Sequence, residues 1–395
     1  MFRNNIQHVD VCYTLINVEA NPLYLDAAAT TPVMPEVAEF ALRLMVEEFG
    51  NAGSRTHQFG SRAKEVVEHA RMQFAKALNV RQSELIFTSG ATESNNIAIM
   101  GLEDYATRTG RRHIITTAIE HKAVLEPIER LASRGFEVDI LSVDAAGRVC
   151  LTELARLVRT DTLLVSVMAA NNETGVIQPI TEISELLPST VFFHVDAAQA
   201  FGKRTNLLHD ERIDMISISA HKFGGPKGVG VLFVRGLDQK KIPLTAISFG
   251  GDQERGLRPG TLPVHLIGAA GFASEIWHEF ASEREAKLVD FRHQLKTALE
   301  PLGPVYNGDQ ENCLPNIVNL SIPGIDSEAF MLVVKDLIAF SNGSACTSHR
   351  YEPSHVLEAM GLDSALKGSA VRMSWTPETH TPNWSEVVLR LKQMI

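Results

Sequence analysis

Cysteine is scarce in this chain. Four cysteines (Cys12, Cys150, Cys313, Cys346) are spread over 395 residues, with no CxxC pair and no repeated spacing. The expectation is neither a disulfide framework nor a structural zinc site, and the usage fits a reducing compartment. Long apolar runs are also missing: none approaches the ~18 residues needed to cross a bilayer. The nearest, residues 163–170, is broken by Ser166 and reads as a buried strand. Positive charge is in deficit, with 37 Lys and Arg against 47 Asp and Glu, a formal net charge of −10. Such a chain lacks the global field that draws proteins to phosphate backbones, so direct nucleic-acid binding is not expected. A local pocket for a small anion stays open. No repeat, low-complexity tract or Pro/Ser-rich linker interrupts the sequence. Residues 1–21 carry Arg3, His8, Asp10 and Glu19 and do not read as a signal peptide. A soluble cytoplasmic chain is the expectation.

What is present is ordinary globular composition, 45% hydrophobic and 21% charged. The length predicts about two domains. From about residue 62 to 235, apolar runs alternate with helical stretches. Runs at 85–88, 112–117, 137–143, 163–168, 191–196, 215–220 and 229–234 are rich in Val, Ile and Leu without period-two alternation. That is the signature of strands covered on both faces, so a mostly parallel, seven-stranded sheet in an α/β fold is predicted. Helices are predicted from near Thr92 and over 124–132. After Gly260 the texture changes: one long helix over 267–299, a strand near 316–322 and a helix near 328–337 suggest a smaller α+β domain. The expected division is an extension over 1–20, a large domain over 21–261 and a small domain over 262–395. The first ~40 residues of the large unit are expected to pack with the small one.

In a parallel sheet, ligands sit beyond the carboxyl ends of the strands. Four unusual segments fall there. Thr88-Ser89-Gly90-Ala91-Thr92-Glu93 joins a strand to a helix whose first N–H groups suit an anion, although Thr92 also fits a plain helix cap. His194-Val195-Asp196-Ala197-Ala198-Gln199 ends an apolar strand on an aspartate that needs a partner, or is simply a helix cap. Ser219-Ala220-His221-Lys222 follows an uncharged strand and precedes a glycine-rich turn; a desolvated lysine there has a lowered pKa and is suited to covalent capture of a carbonyl. Ser341-Asn342-Gly343-Ser344-Ala345-Cys346 places a cysteine among small residues, either a reachable thiol or inert packing.

Taken together, an aspartate, a lysine and a phosphate-type loop suggest pyridoxal 5′-phosphate (PLP). At this point the chain resembles the cysteine desulfurases, a branch of the class V aminotransferases with the fold-type I PLP architecture. The resemblance runs from Tyr24-Leu25-Asp26 and Ala29-Thr30-Thr31-Pro32 to Arg372. It takes in Glu120-His121-Lys122-Ala123-Val124, Asn171-Asn172-Glu173-Thr174-Gly175, Arg258-Pro259-Gly260-Thr261 and Gly343-Ser344-Ala345-Cys346.

The resemblance implies the following roles. Lys222 carries PLP covalently, Asp196 keeps the pyridine nitrogen protonated, and Gln199 bonds the ring's phenolic oxygen. Ala91, Thr92, Ser219 and His221 hold the phosphate, with Thr261 arriving from the neighbouring subunit of a homodimer. His121 stacks on the ring and moves protons. Asn172 and Arg372 bind the substrate carboxylate, the arginine through a bidentate fork. Cys346 is the nucleophile that takes sulfur from L-cysteine, leaving L-alanine and a persulfide for a protein acceptor. Selenocysteine lyase or another class V enzyme is the alternative. Pro259, Met168-Ala169-Ala170 and Met373-Ser374-Trp375-Thr376 depart from the usual pattern. They suggest a paralogue serving DNA phosphorothioation in place of general iron–sulfur assembly or tRNA thiolation.

Overall fold

The computed structural model describes residues 22–343 and 354–394. The expected extension over 1–20 and the Cys346 segment therefore lie outside the described residues.

Seven strands form the central sheet: β1 (Leu85–Thr88), β2 (His113–Thr117), β3 (Glu137–Leu141), β4 (Thr162–Met168), β5 (Phe192–Asp196), β6 (Met215–Ser219) and β7 (Gly230–Val234). Their order is β1-β7-β6-β5-β4-β2-β3. Neighbours β6, β5, β4, β2 and β3 run parallel, while β7 runs antiparallel to both β1 and β6. Six strands thus share one direction, as the unalternating apolar runs predict. All of β1, β4, β6 and β7 are buried. Only β3, at the sheet edge, has fully exposed positions, while β5 is partly exposed at Phe192 alone.

The antiparallel strand has a consequence for the site. Because β7 runs backwards, its first residue, Gly230, pairs with both Thr88 and Ser219, the last residues of β1 and β6. A Cβ at Gly230 would lie 2.5 Å from Gly90 Cα and 2.5 Å from the Ile218 carbonyl. Only glycine lets the β1 exit loop come down onto the sheet here.

Helices cover the sheet. Helices α1 (Pro35–Glu47) and α2 (Gln58–Leu78) pack with α5 (Val264–Glu279). Helix α2 starts on His57, whose ring accepts from the Gly60 N–H, and stops at Asn79 in the left-handed region (φ 56°). Helices α3 (Ala91–Met100) and α4 (Lys122–Ala132) follow β1 and β2.

The single helix expected over 267–299 is two helices. Val264–Glu279 ends at Phe280 (φ −109°, ψ 23°), and α6 (Ala281–Leu299) begins there. The Phe280 N–H closes α5 on Ile276, while its carbonyl accepts the Arg284 N–H that opens α6. One residue thus caps both helices. It separates a helix buried against α1 and α2 from one that packs on the C-terminal helix Trp384–Lys392. Strands β8 (Val305–Tyr306), β9 (Ile317–Ser321) and β10 (Ala370–Ser374) form an antiparallel sheet with β9 central. Residues Leu23–Tyr24 pair in parallel with Ile338–Ala339, bringing the chain's first described segment beside this later part. Among the described residues, no helix is long and apolar enough to cross a membrane.

Candidate active site

The carboxyl ends of β1, β2, β4, β5 and β6 surround a cavity of about 390 Å³. Ten of the twelve residues singled out from sequence line it: Ala91, Thr92, His121, Asn172 and Asp196, then Gln199, Ser219, His221, Lys222 and Arg372. Thr261 is exposed and does not line the cavity of its own chain. Cys346 lies outside the described residues.

One end of the cavity suits an anion. Gly90 occupies the N-cap position of α3 with φ +155°, a conformation open essentially to glycine, and has no side chain with which to cap the helix. The first N–H groups of α3 therefore point outward with the positive end of the helix dipole behind them. Ser219 Oγ stands beside Gly90, 3.4 Å from where a Cβ there would lie, and His221 lines the same cavity. Burial, then the charges of Lys222, Lys227 and Lys203, push the His221 imidazole down to about 4, so it is neutral near pH 7. The loop is braced from outside: Glu93 accepts from the Ser89 N–H and pairs with Arg258 at 3.2 Å.

At the other end Asp196 closes β5, buried and doubly held. Its Oδ2 accepts from Asn95 Nδ2 at 2.7 Å and its Oδ1 from the Ala198 N–H at 2.9 Å. Asn95 was not legible as a site residue, although it stands four positions after Ala91 on the same helical face. Below the aspartate, His194 is fully buried between Ser166 Oγ (2.8 Å) and Ser217 Oγ (3.0 Å). Burial lowers its pKa to about 4 and keeps it uncharged.

Lys222 ends a short turn, Ala220–Lys222, after β6. Its Nζ donates to the carbonyls of Ala28 (2.7 Å) and Ala29 (2.8 Å). Gln199 Nε2 donates to the same Ala28 carbonyl at 2.9 Å. The segment bearing these carbonyls is fixed by Ser374 Oγ, which accepts the Ala28 N–H at 2.8 Å. One of the departures from the family pattern therefore has a visible task. From behind, Lys203 Nζ donates to the Lys222 carbonyl at 2.6 Å.

His121 caps α4, with Nδ1 accepting the Ala123 N–H at 3.0 Å. That contact leaves the ring hydrogen on Nε2 when the imidazole is neutral. Burial is the largest cause lowering its pKa, with Lys222 and His355 adding to it and Asp196 opposing. Its neighbour Glu120 is fully buried. Oε1 accepts from Thr117 Oγ1 and the Met168 N–H, both at 2.8 Å, and burial raises its pKa to about 8.

Arg372 lies on β10 with 1% of its surface exposed. Its Nη2 donates to Asp26 Oδ1 (2.6 Å) and Ser341 Oγ (2.9 Å), and its Nη1 to the Asn172 carbonyl (3.0 Å). Both Nη2 hydrogens are committed, so the arginine does not present the open fork expected of it. The sequence motifs imply no role for Asp26 or Ser341, though both stand in segments that those motifs mark.

The model of the family described as "Aminotransferase class-V" matches residues 23–382. The protein named "Cysteine desulfurase IscS" from Salmonella newport is 44% identical over 357 residues, covering 89% of this chain and 87% of the relative. Among solved structures, a "NIFS-LIKE PROTEIN" superposes with a TM-score of 0.85 at 38% identity, covering 94% of this chain and 98% of the other. DndA from Streptomyces lividans gives 0.78 at 50% identity, over 91% of this chain and all of the other. "SspA in complex with cysteine" gives 0.80 at 33% identity, over 91% and 100%. The expected α/β fold with a mostly parallel central sheet is the fold of these proteins. Sequence motifs, sheet topology and likeness agree: the chain belongs to the class V aminotransferase family and, within it, to the cysteine desulfurases.

Proposed function

We propose that the protein is a PLP-dependent cysteine desulfurase, converting L-cysteine to L-alanine and holding the released sulfur as a persulfide on Cys346. The observation that supports it most is that Lys222, Asp196 and the uncapped start of α3 all face one cavity. The residues present fit the cofactor. Asp196 is oriented by two donors and faces a pocket otherwise short of acid groups, which suits a protonated pyridine nitrogen. Gly90 and Gly230 leave the close approach that a phosphate needs at the α3 N-terminus.

Bound PLP supplies an electron sink for the pair released when the substrate's Cα–H bond breaks. The chain's own residues do the rest. Lys222 would carry the cofactor, and its amine, when free of it, would be the group to move a proton. The Nε2–H of His121 is a second proton carrier. Arg372 and Asn172 hold the α-carboxylate. The Cys346 thiolate attacks the substrate sulfur: an S–S bond forms, the C–S bond breaks with its electron pair staying on carbon, and that carbon takes up a proton. A thiol is required because only a thiolate is competent in sulfur-to-sulfur attack.

The Thr261 role makes the working unit a homodimer. Exposed Leu42, Met45, Val46 and Phe49 along and just beyond α1 support an apolar subunit interface. The likeness to DndA favours the specialised branch that serves phosphorothioation, with a protein as the sulfur acceptor.

The test is direct. Purified protein supplied with PLP and L-cysteine should release alanine, and with dithiothreitol an equal amount of sulfide. Absence of alanine overturns the reading.

A further inference from the structure

Arg372 is held more firmly than a residue awaiting a ligand requires. Asp26 accepts from Nη2 at 2.6 Å, Ser341 Oγ accepts the other Nη2 hydrogen at 2.9 Å, and Ser341 Oγ also donates to the same Asp26 oxygen at 3.1 Å. The three groups form a closed triangle. The Asn172 carbonyl takes one Nη1 hydrogen. What remains is the Nε–H, which is buried without a partner among the described residues, and the second Nη1 hydrogen.

Asp26 stands outside the cavity lining. Arg372 and Asn172 line the cavity whereas Asp26 does not, and the Asp26 side chain keeps 21% of its surface open to solvent. Its own position is fixed. Tyr24 Oη donates to the carbonyls of Asp26 and Thr30, both at 2.9 Å, and Asp26 is bridged to Ser374 of β10. A guanidinium that is 1% exposed needs a counter-charge before any ligand arrives, because an uncompensated buried cation is costly.

We propose that Asp26 is a positioning residue: acting through Arg372, it sets the direction in which the guanidinium meets a ligand's α-carboxylate and so contributes to selection for carboxylates. This rests on the desulfurase reading only in taking Arg372 as the carboxylate anchor. With Nη2 tied back, the incoming carboxylate meets the remaining N–H groups one by one. Selectivity then comes from where those hydrogens point, which the Asp26–Ser341 pair decides, and not from an open fork.

The test compares two ligands that differ only at the carboxyl group, L-alanine and L-alaninamide, titrated calorimetrically into the PLP-loaded enzyme. Asp26→Ala should weaken L-alanine by about tenfold, the scale of one hydrogen bond to a charged group, and leave L-alaninamide essentially unmoved. Asp26→Asn, which keeps an acceptor for Nη2, should recover most of the lost affinity. Ser341→Ala, which keeps the Asp26 charge, should give a smaller loss in the same direction and serves if Asp26→Ala does not fold. Equal weakening of both ligands would mean a general structural role and overturns the inference. So does an unchanged or tightened L-alanine affinity in Asp26→Ala. Failure of the wild-type enzyme to make alanine from cysteine strikes the desulfurase reading instead, since the comparison of the two ligands needs no turnover.

Discussion

Lys203 Nζ donates to the carbonyl oxygen of Lys222 at 2.6 Å, one lysine holding the backbone of another. Lys203 is buried, with 7% of its surface exposed. Burial first, then Lys222 and Arg284, lower its pKa to about 7. Its unfolded-state value is near 10.5. Between those limits the unfolded chain binds more protons, so the Lys203 contribution becomes more favourable as pH rises from about 7 to 10.5, and its cost is fully present below 7.

Lys203→Met removes both the titration and the hydrogen bond. Thermal or urea unfolding at pH 7 and pH 9 should show wild type gaining on the variant by about 1.4 kcal/mol per pH unit. The variant should also retain PLP less well, because the turn under Lys222 loses its brace. Parallel pH profiles for the two proteins would contradict the burial of this amine.

Glu120 gives the opposite slope. Its carboxyl, raised to about 8 by burial, is protonated in the folded protein near pH 7 and ionised in the unfolded chain above about 4.5. Stability from this group therefore falls as pH rises from 4.5 to 8. Glu120→Gln cannot titrate. Its stability relative to wild type should climb by up to about 1.4 kcal/mol per pH unit across that window. Denaturant melts at pH 5 and pH 8 measure it; a constant difference would mean that Glu120 is ionised in the fold.

Gly230→Ala tests the descent of the β1 exit loop onto the sheet. The added methyl would meet Gly90 Cα and the Ile218 carbonyl at 2.5 Å, both backbone, so neither can turn aside. A loss of about 3 kcal/mol or more is expected, the upper range for overpacking. PLP binding should weaken beyond what the stability loss explains, because Gly90 itself is displaced. Fluorescence titration of apoenzyme with PLP, run well below the melting temperature, reads the second effect.

Cys346→Ser keeps the segment's size and exchanges a thiolate for a hydroxyl that is neutral near pH 7. None of the cofactor-holding roles falls on Cys346, so PLP should bind as before. Alanine formation should fall by about three orders of magnitude or more, as when a nucleophile is removed. Mass spectrometry of wild type treated with cysteine should place the added sulfur on Cys346, and not on Cys12, Cys150 or Cys313. Alanine release by the serine variant at the wild-type rate would make Cys346 a bystander.

The central sheet was legible because both its faces are covered. Continuous apolar runs located β1 to within the residue and the other strands to within a residue or two. The Phe280 break was not legible, since helix propensity continues through it and the chain turns only because α5 and α6 answer to different neighbours. In the site, residues with chemistry written into a motif (Lys222, Asp196, His121) could be placed. Those acting through another side chain could not. Asn95 is an unremarkable helix residue until Asp196 is seen beside it, and Asp26 means nothing until Arg372, 346 positions away, reaches it.

That last separation bears on biosynthesis. A chain made from its N-terminus exposes Asp26 long before β10 exists, and the guanidinium that neutralises it is made 346 residues later. Lys222 and the central sheet are complete well before then. Contacts of such long range are slow to close and are among the last to form. The carboxylate anchor should thus take its working direction only after the central sheet has formed, when β10 closes on the segment around Asp26.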